Sequence, residues 1–335
     1  MNSIAIVGTG AIGGFYGALL ARAGYDVHFL LNSDYEYVKQ NGLRIESPDG
    51  NFTIPSVNTW NSSSNMPKCD LVIITLKTTV NFLLKDILPQ LCHRNSKVLV
   101  LQNGLDTDKD AAGTVPMNEV FGGVCSVACN KSGPGYIKHI AYKQIHMGQY
   151  TSGNNITGIT NSLKAISDIL NNAGIPTILD KSITEARWRK LVWNMAFNGL
   201  STVLNCDTKV IMENPQYRKR AILIMDEVIK AANSCGMNIE AGYTDKMVEL
   251  TDNMAPYLPS MKLDYDNGRP LEFEVIYQRP IQQARINKCK IPNIEQLAEE
   301  LVELAVEKEK QENRRTYTSE KNTSAETGES PSALQ

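Results

Sequence analysis

The sequence has no C-x-x-C pair. Its seven cysteines (Cys69, Cys92, Cys125, Cys129, Cys206, Cys235 and Cys289) are odd in number and scattered, which argues against a disulfide scaffold or a structural zinc site. No window of about 20 residues is free of polar groups, so no membrane span is expected. A basic surplus is also missing. Lys plus Arg is 34 and Asp plus Glu is 36, a formal net charge of -2. No basic run is interleaved with aromatics, and the two absences together disfavour a nucleic-acid binder. The N-terminus starts on an apolar run, Ile4 to Val7, without the basic region and cleavage site of a secretory signal. The four histidines (His28, His93, His139 and His146) share no helix face with one another or with a carboxylate at ligand spacing, so no metal is assigned. What is present is a chain of 335 residues, 42% hydrophobic and 21% charged. That is enough for two ordinary globular domains. The expectation is a cytoplasmic protein that binds a small molecule, with a homodimer left open.

Apolar, β-branched runs of strand length occur at Ile4–Val7, Val27–Leu31, Leu71–Leu76 and Val98–Leu101. Helical stretches such as Ala11–Ala23 and Val80–Leu88 lie between them. This alternation predicts an α/β fold with a doubly wound, largely parallel sheet over residues 1–181. Val120–Cys129, Gly135–His139 and Gln144–Tyr150 read as an antiparallel extension, and helix Gly158–Ala173 and strand Thr177–Leu179 close the domain. From residue 182 to 312 the reading is all helical: Glu185–Asn205, Pro215–Cys235, Thr244–Asn253, Leu271–Asn287 and Ile294–Glu312. Residues 313–335 lose their apolar side chains and are expected to form a disordered polar tail.

Gly8-Thr9-Gly10-Ala11-Ile12-Gly13 follows the first strand and opens the first helix. The pattern G-x-G-x-x-G is weak alone, but strand, tight turn and helix are the context it requires. Gly8 permits the turn, Gly10 lets the backbone approach a pyrophosphate, and Gly13 lets helix and strand pack closely. The helix N-terminus offers free N–H groups to the anion. The second strand runs into Asn32-Ser33-Asp34. Asn32 and Ser33 can bond a ribose hydroxyl or a 2′-phosphate, and Asp34 either binds a ribose or caps the next helix. Lys39 and Arg44 are the nearest cations. NAD and NADP both remain open.

Two polar signals fall at strand ends, where doubly wound sheets bind ligands. Lys77 could neutralise a phosphate or carboxylate, and Asn103 could bond a nicotinamide ribose or a substrate. Further on, Lys190, Asn194 and Asn198 are spaced by four and form one narrow polar stripe on a helix otherwise clad in Leu191, Val192, Trp193, Met195, Ala196, Phe197 and Leu200. Buried amides and an ammonium need partners, and a cleft holding a polar ligand supplies them. Ser260 sits where it could cap a helix. Glu272 and Glu274 both lie at a helix start, and spacing does not choose between them.

These pieces together resemble the ketopantoate reductases (2-dehydropantoate 2-reductases), from Met1 to about Glu312. The resemblance implies an N-terminal Rossmann domain, a helical C-terminal domain and an active site between them. It implies Lys190 as the catalytic lysine and Glu272 as the essential glutamate, with Glu272 holding Lys190 in place. Substrate would be held by Asn194, Asn198, Ser260 and Asn103. The cofactor would meet Gly8, Thr9, Gly10, Ala11, Ile12, Gly13, Asn32, Lys77, Asn103 and Glu272. The implied reaction is NADPH-dependent reduction of ketopantoate, a 2-oxo acid, in pantothenate biosynthesis. Asn32 departs from the family pattern, standing where many members carry an arginine for the 2′-phosphate. The alternatives are a related reductase of another 2-oxo acid or an imine, and a non-catalytic dinucleotide sensor.

Overall fold

Strands that are apolar on both faces build the sheet. Ile4, Ala5, Ile6 and Val7 are fully buried, as are Leu71 to Ile74 and Val98 to Val100. Such runs belong to parallel strands covered by helices on both sides. The structure, a computed structural model, describes residues 1–152 and 158–327, with side chains described up to residue 310. The first half runs β1 (Ser3–Val7), α1 (Ala11–Arg22), β2 (Asp26–Leu30), α2 (Tyr35–Asn41), β3 (Leu43–Glu46), β4 (Phe52–Ile54), β5 (Asn58–Trp60), β6 (Cys69–Ile74), α3 (Leu84–Leu91), β7 (Cys92–Val100), α4 (Thr107–Thr114), β8 (Glu119–Gly133), β9 (Tyr136–Gln149), α5 (Asn161–Asn172) and β10 (Thr177–Leu179).

The sheet order is β4-β3-β9-β8-β7-β6-β1-β2-β5, with β10 also paired to β9. The segment β8-β7-β6-β1-β2-β5 is parallel throughout. The expected antiparallel extension is present as β8 and β9. From β1 the chain builds outward through β2 on one side and β6 on the other. The order therefore reverses at β1, and the carboxyl ends of β1, β2, β6 and β7 share one edge. In doubly wound sheets, ligands bind outside that edge at the switch point.

The second half is helical: α6 (Ile183–Val203), α7 (Thr208–Glu213), α8 (Pro215–Ser234), α9 (Tyr243–Asp252), α10 (Ser260–Asp266), α11 (Arg279–Ile286) and α12 (Pro292–Thr327). Ser182 caps α6 by accepting from the Glu185 amide. Asn214 caps α8 ahead of Pro215, the expected helix start. α6 forms the centre of the helical core, where Trp188, Leu191, Met195, Phe197 and Leu200 meet Ile224, Met225 and Val228 of α8.

Two expectations are corrected here. Leu271–Asn287 is not one α-helix, because Glu272 precedes the helix and Glu274–Gln278 form a π-helical turn before α11. Pro280 explains the widening: it has no N–H to donate, and its ring crowds the carbonyl four residues back. The polar tail is also not wholly without structure, since α12 continues to Thr327. No glycine or proline falls between Asn313 and Thr327, and Glu, Lys and Arg are good helix formers. Residues 328–335 lie outside the described residues.

Candidate active site

The glycine turn has the shape the sequence demands. Gly8 has φ +99°, and a Cβ there would meet the Leu76 amide nitrogen at 2.7 Å. At Gly13 a Cβ would lie 2.3 Å from the Gly8 carbonyl oxygen and 2.3 Å from Thr75 Oγ1. A Cβ on Gly10 would meet nothing within 4 Å. Two glycines thus close the turn against β6, and the third leaves open space where a pyrophosphate would approach. The N-terminus of α1 has no side-chain cap and no acidic residue in its first turn, so its amides are left for an anion. Thr75 pins the turn by donating to the Gly8 carbonyl at 2.6 Å. Thr9 donates its hydroxyl to the Leu30 carbonyl at 3.0 Å, joining the turn to the end of β2. The residues present fit a dinucleotide. Gly13→Ala is expected to destabilise the fold by about 1–3 kcal/mol, the usual scale of overpacking, and a denaturant melt of the variant checks it.

At the end of β2, Asn32 and Ser33 are exposed. Asp34 is buried and spoken for. It accepts from the Gly135 amide at 3.1 Å and pairs with Lys131 at 2.7 Å. It makes no side-chain cap bond to α2, so the expected capping bond is absent. The two cations nearest in sequence lie over aromatic rings, Lys39 over Tyr35 and Arg44 over Tyr136.

In the helical half, α6 carries the expected stripe. Asn194 is 4% exposed and Asn198 2% exposed. Asn198 Oδ1 accepts from the Met261 amide at 3.4 Å, which sets Ser260 beside it. Among the described residues the Asn194 amide takes no hydrogen bond, and neither does the side chain of Asn103 or Ser260. Ser260 is the first residue of α10, and Pro259 holds the cap position, so the expected capping role is absent. Lys190 is half-buried. Its ammonium donates to the Cys125 carbonyl on β8 at 3.3 Å, leaving donors to spare. Burial lowers its pKa, outweighing the opposing effect of Cys125.

Glu272 is 5% exposed. One oxygen accepts from the Thr78 amide and hydroxyl, both at 3.0 Å, and the other faces Lys77 at 3.4 Å. Lys77 also donates to Asp264 at 2.7 Å. Partial burial opposes its charge, but Glu272 and Asp264 outweigh that and raise its pKa. The expectation that Glu272 holds Lys190 is therefore corrected. The carboxylate is held by Lys77 and Thr78 at the end of β6, while Lys190 reaches β8. Glu274 is exposed and pairs with Arg279 at 2.9 Å, so burial separates the two glutamates that spacing leaves equal.

Two groups were missed in the sequence. Arg187 pairs with Asp108, both deeply buried. Arg279 donates to the Leu105 carbonyl and pairs with Asp110. Arg187 falls on the same face as Leu191 and Asn194, so a charge on a buried stripe was the available signal. Its partner lies 79 residues away and no local pattern marks it.

Among the described residues, no helix is long and apolar enough to cross a membrane. Comparison with known proteins gives the family. Residues 4–152 match the family model of ketopantoate reductase PanE/ApbA, and residues 182–305 match its C-terminal counterpart. The chain is 46% identical over 297 residues to a 2-dehydropantoate 2-reductase of Nostoc sp., covering 89% of this chain and 93% of that one. A crystal structure of 2-dehydropantoate 2-reductase from Geobacter metallireducens GS-15 is 36% identical, with a TM-score of 0.85 and coverage of 90% and 99%. The corresponding enzyme from Methylococcus capsulatus is 32% identical, with a TM-score of 0.82 and coverage of 91% and 97%. On the strength of the turn, the stripe and these likenesses, the chain belongs to the ketopantoate reductase family.

Proposed function

We propose that this chain reduces 2-dehydropantoate to pantoate with NADPH, a step toward pantothenate. The observation that carries the reading is the α6 stripe. A half-buried ammonium bonded to a backbone carbonyl stands in line with two buried amides, one of them without a partner among the described residues. Residues 1–181 would carry the dinucleotide, and 182–312 would supply the substrate wall.

When bound, the reduced dinucleotide supplies a hydride at the nicotinamide ring. Lys190 stabilises the negative charge that develops on the substrate oxygen and donates a proton to it. Its lowered pKa makes that proton easier to give. Glu272, fixed by Thr78 and Lys77, accepts a hydrogen bond from the nascent hydroxyl. Asn194, Asn198 and Ser260 hold the carboxylate and the second hydroxyl of the substrate. Asn103 lies at the nicotinamide end of the cleft. Lys77, kept cationic by its two carboxylates, bonds the cofactor ribose.

The test is a panel of 2-oxo acids and imines, each assayed with NADPH and NADH by absorbance at 340 nm. Ketopantoate is expected to give the highest kcat/KM. Preference for another 2-oxo acid or an imine would identify a related reductase, and turnover of none would leave a dinucleotide sensor. Cofactor choice is tested at Asn32, which is exposed at the end of β2. Asn32→Arg is expected to raise the ratio of kcat/KM for NADPH over NADH, because a guanidinium there would meet a 2′-phosphate bidentately. An unchanged ratio would remove Asn32 from the 2′ position.

A further inference from the structure

Arg187 precedes Lys190 by one helical turn and is 3% exposed. Its Nε and Nη2 each donate to Asp108 at 2.6 Å, a bidentate pair with a carboxylate that is itself 2% exposed. That pair alone would satisfy both buried charges. The guanidinium does more: Nη1 donates to the carbonyls of Gln102 at 2.8 Å and Gly104 at 3.2 Å, and Nη2 to that of Val100 at 3.4 Å. These oxygens end β7 and flank Asn103 on both sides. Only a planar fork with several fixed donors can serve a carboxylate and this carbonyl set together; an ammonium is a point charge.

The same loop is held from below. Gly104 has φ +89°, and a Cβ there would lie 2.4 Å from Val275. The Leu105 amide donates to the Val275 carbonyl at 2.9 Å, within the π-helical turn that follows Glu272. An asparagine followed by a left-handed glycine would otherwise be a hinge. Here its backbone is fixed on either side, while the Asn103 side-chain amide has no partner among the described residues.

We propose that Arg187 is a positioning residue. Through the Gln102 and Gly104 carbonyls it sets the Asn103 amide relative to the Lys190 ammonium, so one side chain fixes the spacing between the two walls of the cleft. It acts through these groups rather than on substrate. The proposal rests on the reading that Lys190 protonates the substrate oxygen, and displacements of about 1 Å in such a geometry cost on the order of a hundredfold in rate.

Arg187→Lys keeps a cation opposite Asp108 and removes the fork. Its kcat per folded molecule with the best 2-oxo acid is expected to fall roughly ten- to a hundredfold, beyond any loss of stability read from its melt, with the dinucleotide Kd from fluorescence titration little changed. In Arg187→Ala, millimolar guanidinium is expected to restore part of the lost kcat. The proposal is overturned if Arg187→Lys turns over like the unmodified chain. It is also overturned if activity falls only in step with the folded fraction and guanidinium restores nothing. Should the unmodified chain reduce no 2-oxo acid, the reductase reading falls and this one with it. Normal turnover by both the unmodified chain and Arg187→Lys removes this proposal alone.

Discussion

Lys190→Ala is expected to lower kcat at least about a hundredfold, the ordinary contribution of a positioned general acid, while dinucleotide binding persists. The two effects separate because the glycine turn lies on β1 and α1, whereas Lys190 projects from α6 and bonds the Cys125 carbonyl on β8. Removing its head leaves a backbone acceptor short of one partner and no buried carboxylate stranded, so the fold should survive. A companion measurement is the pH profile. Reduction needs the ammonium form. Burial depresses the Lys190 pKa from its ordinary value near 10.5, so the ammonium is lost earlier as pH rises. The basic limb of kcat/KM is therefore expected below the usual lysine range and should disappear in Lys190→Ala. Near-normal turnover in that variant would remove Lys190 from the chemistry.

Glu272→Gln is expected to lower kcat/KM about a hundredfold as well, with Glu274→Gln changing it less than about twofold. The argument is geometric. A glutamine oxygen can still accept from the Thr78 amide and hydroxyl, the two 3.0 Å bonds that anchor the carboxylate. Lys77 keeps its pairing with Asp264 at 2.7 Å. What disappears is the negative charge, and with it an acceptor that tightens as the product hydroxyl forms. Glu274 is spent on Arg279 at the surface, where exposed ion pairs contribute little. Equal losses in both variants would mean that the buried carboxylate has no special part. Steady-state kinetics of the two purified variants, with a melt of each, make the comparison.

Much of this site could be read in the residues before any coordinates, because sterics and helical spacing are local. Gly8 and Gly13 are forced by close contacts that a Cβ would make, and Gly10 stands beside open space. Lys190, Asn194 and Asn198 repeat at four-residue intervals, and a helix apolar elsewhere had to aim that stripe at something polar. The strands of the central sheet were legible for the same reason, their apolar runs being set by burial on both faces. Where the reading failed, the deciding contact was distant in sequence. Glu272 and Glu274 look alike at a helix start, and they are distinguished by burial and by Lys77 and Thr78, about 195 residues away in sequence. Asp34 looked like a helix cap, and its partners Lys131 and Gly135 come instead from the β8–β9 hairpin. The strands β3, β4 and β5 are three or four residues long and only partly apolar, too short for alternation to register.

The central claim is that a hydride passes across the cleft from a dinucleotide on the glycine turn to a keto carbon whose oxygen faces Lys190. It is tested most directly by incubating the chain with ketopantoate and NADPH carrying deuterium at one face of nicotinamide C4, each face in turn, and analysing the product by mass spectrometry and NMR. The account gives pantoate with one deuterium at C2 from one labelled face and none from the other. Consumption of neither reagent, or pantoate unlabelled from both faces, would contradict it.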